Sequence, residues 1–155
     1  MKKTRYIPWI LAAEATGGLA GFLTRDGTKI YEQSAVKPGL TPPGILFPIV
    51  WTILYALMGI GAARVAAAPA GRNRNRGLNL FTVQLIFNFF WSLLFFNAQA
   101  YGFALLWLLA LGGLIIGMIY QFSKVDRAAA VLQIPYFLWV TFAAYLNFGV
   151  WRLNR

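Results

Sequence analysis

Five long apolar runs, 6–23, 44–68, 78–97, 101–122 and 128–151, constrain this chain more than any other feature. A helix that crosses a bilayer needs about 20 mostly apolar residues. Its backbone N–H and C=O groups must find partners inside the segment, because hydrocarbon offers none. Each run meets that length, so the sequence predicts an all-α membrane protein. Its fold would be a five-transmembrane-helix bundle, a single domain over 1–155, with a long loop between the first two spans. The chain is 59% hydrophobic and only 12% charged, whereas a soluble domain has about a quarter of its residues charged. Lys2, Lys3 and Arg5 precede the first run as they would in a signal peptide. Glu14 interrupts that run and no small-x-small cleavage pattern follows, so it reads as a mature helix.

With no Cys and no His, the chain lacks thiolate nucleophiles, imidazole bases and the usual zinc or haem ligands. No metal site is expected. Glu14 is the lone carboxylate inside an apolar run and has no acidic partner for a paired acid–base site. Ordinary acid–base or covalent catalysis therefore has no candidates. The net charge of +10 comes from 14 basic residues placed almost entirely between the runs or at the chain ends. That placement suits membrane topology and anionic headgroups, not a groove for nucleic acid. Membrane lipid is the expected surrounding partner.

The connections differ in kind. "NAQAYG" and "SKVD" are short, and "PAGRNRNRG" reads as a basic turn with no helical pattern. The first connection, 24–43, is much longer. Tyr31, Lys37-Pro38 and Thr41-Pro42-Pro43 stiffen it, so it reads as an ordered lid. With the N-terminus inside, Lys2, Lys3, Arg5, Arg64, Arg72, Arg74, Arg76, Lys124 and Arg127 share one side. Arg25, Lys29, Lys37, Arg152 and Arg155 share the other. The excess predicts a cytoplasmic N-terminus, with the long loop and the C-terminus outside.

Helical spacing gathers polar and aromatic residues into stripes. The second span presents Phe47, Trp51, Tyr55 and Met58, and the third presents Gln84, Asn88, Trp91 and Phe95. The last span presents Trp139, Ala143 and Asn147, with Phe142 and Leu146 alongside. Amides in hydrocarbon need partners, so Gln84, Asn88 and Asn147 should face the bundle interior. These stripes serve either as packing seams or as the walls of a ligand pocket. Tyr6, Trp9, Tyr101 and Trp151 suit an interfacial belt. Gly17-x-x-x-Gly21 and Gly113-x-x-x-Gly117 allow close helix approach, within one chain or in a homodimer.

Three ordered stretches, "KPGLTPPGILFPIVWTILYALMG", "QLIFNFFWSLLFFNA" and "PYFLWVTFAAYLNFGVWRLN", resemble the TspO/MBR family of tryptophan-rich sensory proteins and translocator proteins. The similarity covers nearly the whole chain. It implies a five-helix bundle, often dimeric, enclosing one pocket beneath the first loop. Porphyrin-type tetrapyrroles, protoporphyrin IX or haem, are the implied ligands, with benzodiazepine-like drugs and sterols as further ones. No cofactor is implied as a requirement. Carried onto this sequence, the resemblance places Trp51, Asn88, Trp91, Trp139 and Ala143 in the pocket. Tyr31 and the Pro42-Pro43 turn would belong to its lid. It also links Trp51 and Trp139 to light-dependent porphyrin breakdown.

Two departures bear on the lid: Leu40 stands where the family usually has Trp, and the Tyr31-to-Lys37 spacing is one residue longer. Phe148 stands where the proposed sterol motif of animal members has Tyr. Three functions follow as expectations, in order: a tetrapyrrole receptor or sensor, a light-dependent porphyrin-degrading enzyme, and a transporter. The transporter comes last because the sequence offers neither a repeat nor an evident broken helix.

Overall fold

The computed structural model describes residues 5–155, so Lys2 and Lys3 lie outside the described residues. The chain is built of α1 (Ile7–Leu23), α2 (Arg25–Ser34), α3 (Leu46–Ala66), α4 (Arg72–Ser92), α5 (Tyr101–Ser123), α6 (Arg127–Val131) and α7 (Ile134–Leu153). A wide π turn, Leu93–Asn97, extends α4. Four segments, α3, α4 with its π turn, α5 and α6–α7, are long and apolar enough to cross a membrane, and α1 becomes the fifth when taken with α2. Alone, α1 has 17 residues, at the short end of the spanning range of about 17–25. The result is a five-helix membrane bundle.

Without water inside the bilayer, helices associate by close packing and hydrogen bonds, and small residues set the approach. A Cβ on Gly59 would collide with the backbone of Trp9 and Ile10, and one on Gly61 with Gln133. These two glycines fasten the last turns of α3 to the start of α1 and to α6. A Cβ on Gly77 would press on Phe122, where α4 crosses α5. The seam is filled by Ala13, Met58, Ala62, Val65, Ile115, Met118, Phe122 and Tyr136, all fully buried. Of the two small-residue motifs, only parts pack: Gly17 lies against the Tyr55 ring and Gly117 against Leu80. Gly21 and Gly113 meet open space.

Three sequence expectations need correction. The first connection is not irregular throughout, because Arg25–Ser34 forms a helix bent 60° from α1. Its polar sequence hides the helix, which is held by tertiary contact: Gly27 and Tyr31, one turn apart, are its buried residues. "PAGRNRNRG" is also largely helical, since α4 begins at Arg72, two turns before the expected start. Arg74 stabilises that junction by donating to the Ala66 carbonyl at the end of α3 (Nη2 2.9 Å, Nε 3.2 Å). Finally, the fifth span is one segment but not one regular helix, because a turn at Leu132-Gln133 separates α6 from α7. Pro135 at the start of α7 has no N–H and crowds the carbonyl four residues back. Asp126 caps α6 by accepting from the Ala129 N–H at 3.1 Å.

Candidate functional site

Close packing of α3 against α1 and α6 at one end leaves the other ends of α1, α3 and α7 apart. A cavity of about 1060 Å³ occupies that gap. Its walls carry Gly17, Gly18 and Gly21 of α1, Phe47, Pro48 and Trp51 of α3, and Trp139, Ala143 and Leu146 of α7. Trp91, Phe95 and Phe96 close the α4 side, and α2 with residues 37–45 forms the roof. The volume lies at the top of the range for small-molecule sites, about 300–1,000 Å³.

The roof is anchored by aromatic and carbonyl contacts. Tyr31 sets its ring edge-on to Phe95 (5.3 Å between centroids) and Phe96 (5.4 Å). The backbone carbonyl of Phe96 leaves no room for a Cβ at Gly27, so only glycine lets α2 lie this close. Asn97 Nδ2 donates to the Leu23 carbonyl at 3.0 Å, fixing the bend between α1 and α2. Lys37 Nζ donates to the carbonyls of Tyr31, Glu32 and Ala35 at 3.0–3.2 Å, closing the C-terminus of α2 as a cation should.

The far side of the roof is clasped by α7. The Tyr145 hydroxyl donates to Gly39 O at 2.7 Å, and Pro38 lies against Gly149. Asn154 accepts from Val36 N–H at 2.9 Å and donates to Val36 O at 2.8 Å. Leu40, at the tip of this segment, is 82% exposed. Its φ of 70° is in the left-handed region, unusual for a residue with a Cβ.

Beneath the cavity lies a buried polar chain. Tyr55 OH donates to Asn88 Oδ1 (2.6 Å), Asn88 Nδ2 donates to Tyr136 OH (2.8 Å), and Tyr136 OH donates to Gln84 Oε1 (2.6 Å). A second pair, Trp91 Nε1 to Asn147 Oδ1 at 3.0 Å and Asn147 Nδ2 to Tyr101 O at 2.8 Å, ties α4, α7 and α5 together. The Trp139 indole N–H differs from that of Trp91. It is buried and has no partner among the described residues.

Of the residues singled out from sequence, Tyr31, Pro42, Phe47, Trp51, Tyr55, Trp91, Trp139, Ala143 and Leu146 line the cavity. Gln84 and Asn88 sit below its floor in the polar chain. Phe142 stands behind Trp139 at 5.5 Å, and Pro43 is exposed beside Pro42. Asn147 both lines the cavity and joins helices. Trp107 faces away, stacked on Phe87 at 4.2 Å and donating to Phe87 O at 2.8 Å. Sequence reasoning missed Thr24, Phe96 and the glycine face of α1. The signal for the α1 face was the i, i+3, i+4, i+7 spacing of Glu14, Gly17, Gly18 and Gly21 along one side of a helix.

The profile of the TspO/MBR family matches residues 9–152. The chain belongs to that family. It is 38% identical to the tryptophan-rich protein TspO of Chlorobaculum tepidum over 90% of this chain and 89% of that protein. It is 35% identical to protein CrtK of Rhodobacter capsulatus, over 99% of this chain and 95% of the relative. Identity to the translocator protein of sheep, Ovis aries, is 32%, over 96% and 92%. Family membership and the apolar helices together make this an integral membrane protein.

Proposed function

We propose that this chain is a membrane receptor or sensor that holds a porphyrin-type tetrapyrrole in the cavity under α2. The observation that carries the reading is the wall itself: Trp51, Trp91 and Trp139 surround a space large enough for a flat macrocycle. Aromatic walls stack on such a ring through offset and edge contacts. Arg25 and Lys29 line the rim and supply cations for carboxylate side arms. Lys37 does not serve this purpose, because its ammonium is engaged by three carbonyls at the C-terminal end of α2. The free Trp139 N–H offers a donor to an acceptor on the ligand. Support also comes from a relative in Cereibacter sphaeroides named as a tryptophan-rich sensory protein, 36% identical over 76% of this chain.

In the same reading the protein sits in a cell membrane, and the end bearing Arg64, Arg72, Arg74, Arg76, Lys124 and Arg127 faces the cytoplasm. The cavity and its roof then face outward. The deciding experiment is a titration of the detergent-solubilised protein with protoporphyrin in the dark, followed by illumination. Saturable quenching of tryptophan fluorescence with no accelerated porphyrin loss supports the receptor. Loss above the free-porphyrin rate supports light-dependent degradation instead, and absence of saturable binding sinks both readings.

A further inference from the structure

Of the four acidic residues in the sequence, Asp26 and Glu32 lie on α2 and Asp126 caps α6. Glu14 alone stands within the apolar run of a span, near the middle of α1. It does not point only to lipid, because it lines the cavity beside Gly17, Gly18 and Tyr55. A carboxylate in hydrocarbon is costly unless something pairs with it. Among the described residues Glu14 has neither an ion pair nor a hydrogen-bond donor, and the hydroxyls near it are engaged elsewhere. Tyr55 OH donates to Asn88, Thr52 Oγ1 to Pro48 O at 2.7 Å, and Thr16 Oγ1 to Ala12 O at 2.8 Å. The cation Arg25 lies beyond the end of α1, past the 60° bend into α2. One of its nitrogens already donates to Phe22 O at 2.7 Å.

The surroundings of this carboxylate are shaped for a ligand. Gly17 carries no side chain because the Tyr55 ring occupies that place, and Gly18 and Gly21 leave open space beside it. Tyr55 is followed by Trp51 at 5.5 Å between centroids, so two aromatic faces continue along the α3 wall. An anionic group beside aromatic faces on an otherwise apolar wall is the chemistry that selects an ammonium ion.

We propose that Glu14 forms an ammonium subsite of the cavity, pairing with a protonated amine carried by an aromatic, lipophilic ligand whose ring lies on Tyr55 and Trp51. The subsite stands on the cavity alone and does not depend on the tetrapyrrole reading. It sets one carboxylate in the α1 wall, apart from the rim where Arg25, Lys29 and Glu32 gather.

The test compares two nearly isosteric probes, 1-naphthylmethylammonium and neutral 1-naphthylmethanol, titrated at pH 7 into the full chain in a non-ionic detergent. Binding is read by calorimetry, and folding by thermal melting of the same sample. The wild type should bind the ammonium more tightly than the alcohol by about tenfold, equivalent to about 1.4 kcal/mol. Glu14→Gln should erase that preference by weakening the ammonium alone, with alcohol affinity unchanged and a melting temperature no lower than that of the wild type. Equal binding of the two probes by the wild type would overturn the subsite. So would a preference that survives Glu14→Gln, or an ammonium that does not bind the wild type at all. The wild-type comparison needs no variant to fold, so the proposal is exposed even if Glu14→Gln is unstable.

Discussion

The Tyr55 hydroxyl donates to Asn88 Oδ1 at 2.6 Å, and through that contact a cavity wall is joined to a buried polar chain. Asn88 passes the connection on to Tyr136 and so to Gln84, linking α3, α4 and α7 below the cavity. Asn88→Leu orphans the buried Tyr55 hydroxyl and takes one donor from the Tyr136 hydroxyl, which keeps its bond to Gln84 Oε1. Such a group costs about 1–3 kcal/mol when orphaned, although interhelical hydrogen bonds in membranes average only about 0.6. The expected outcome is a lower melting temperature, with ligand affinity reduced only through the loosened Tyr55 ring. An unchanged melting temperature would mean that the chain is not a structural tie.

Much of this arrangement is legible in the sequence. The amides had to face inward, and their helical spacing put each on one face with a tryptophan. What spacing could not decide is depth along the stripe. Asn88 lies one turn below Trp91, which is enough to move it from the cavity into the floor. The α2 helix was hidden for a different reason: its residues are polar, and it exists because Gly27 and Tyr31 dock on the π turn that ends α4. The break before α7 did have a signal, since Pro135 removes a backbone donor inside an apolar run. Its length and hydropathy alone masked that signal.

Topology yields an independent prediction. The basic residues at the two ends of the bundle are unequal, and the excess lies with Arg64, Arg72, Arg74, Arg76, Lys124 and Arg127. Reporter fusions placed after Gly71 and after Arg155 should report opposite sides, with the Gly71 fusion cytoplasmic. The same side for both would contradict the three spans that lie between them. Exchanged sides would reverse the orientation alone.

The roof should respond to alkali through Tyr31. Burial, helped by the nearby Tyr101 and Glu32, pushes its phenol up to about 12 from an ordinary value near 10. A docked roof therefore holds the phenol neutral while an undocked one ionises earlier. Docking is fully stabilised below pH 10 and weakens as pH rises toward 12. The protection of residues 25–39, taken relative to the base-catalysed exchange rate of a free peptide at each pH, should fall across that window in the wild type. In Tyr31→Phe, which keeps the ring and has nothing to ionise, protection should not fall in that way. Tyr31→Ala removes two edge contacts of about 0.5–1.5 kcal/mol each and should leave the roof loose at every pH. If Tyr31→Phe follows the wild-type profile, some other group drives the opening.

Ala143 offers the most direct test of the cavity as a binding site. It lies one helical turn beyond Trp139, is 7% exposed, and lines the same space as Trp51 and Leu146. Its methyl group leaves room where a flat ligand would meet the indole. Leucine at this position fills that room without adding charge and without removing a hydrogen bond. If the space belongs to a ligand, Ala143→Leu should weaken porphyrin binding at least about tenfold, or about 1.4 kcal/mol. Its melting temperature should stay near that of the wild type, because the added atoms enter a void. If the space is instead a packing seam, overfilling costs about 1–3 kcal/mol of stability, and the folded fraction binds as before. Affinity and melting temperature measured on one sample separate these outcomes. A well-folded variant with unchanged affinity would remove Ala143 from the site and weaken the case for the whole α7 wall.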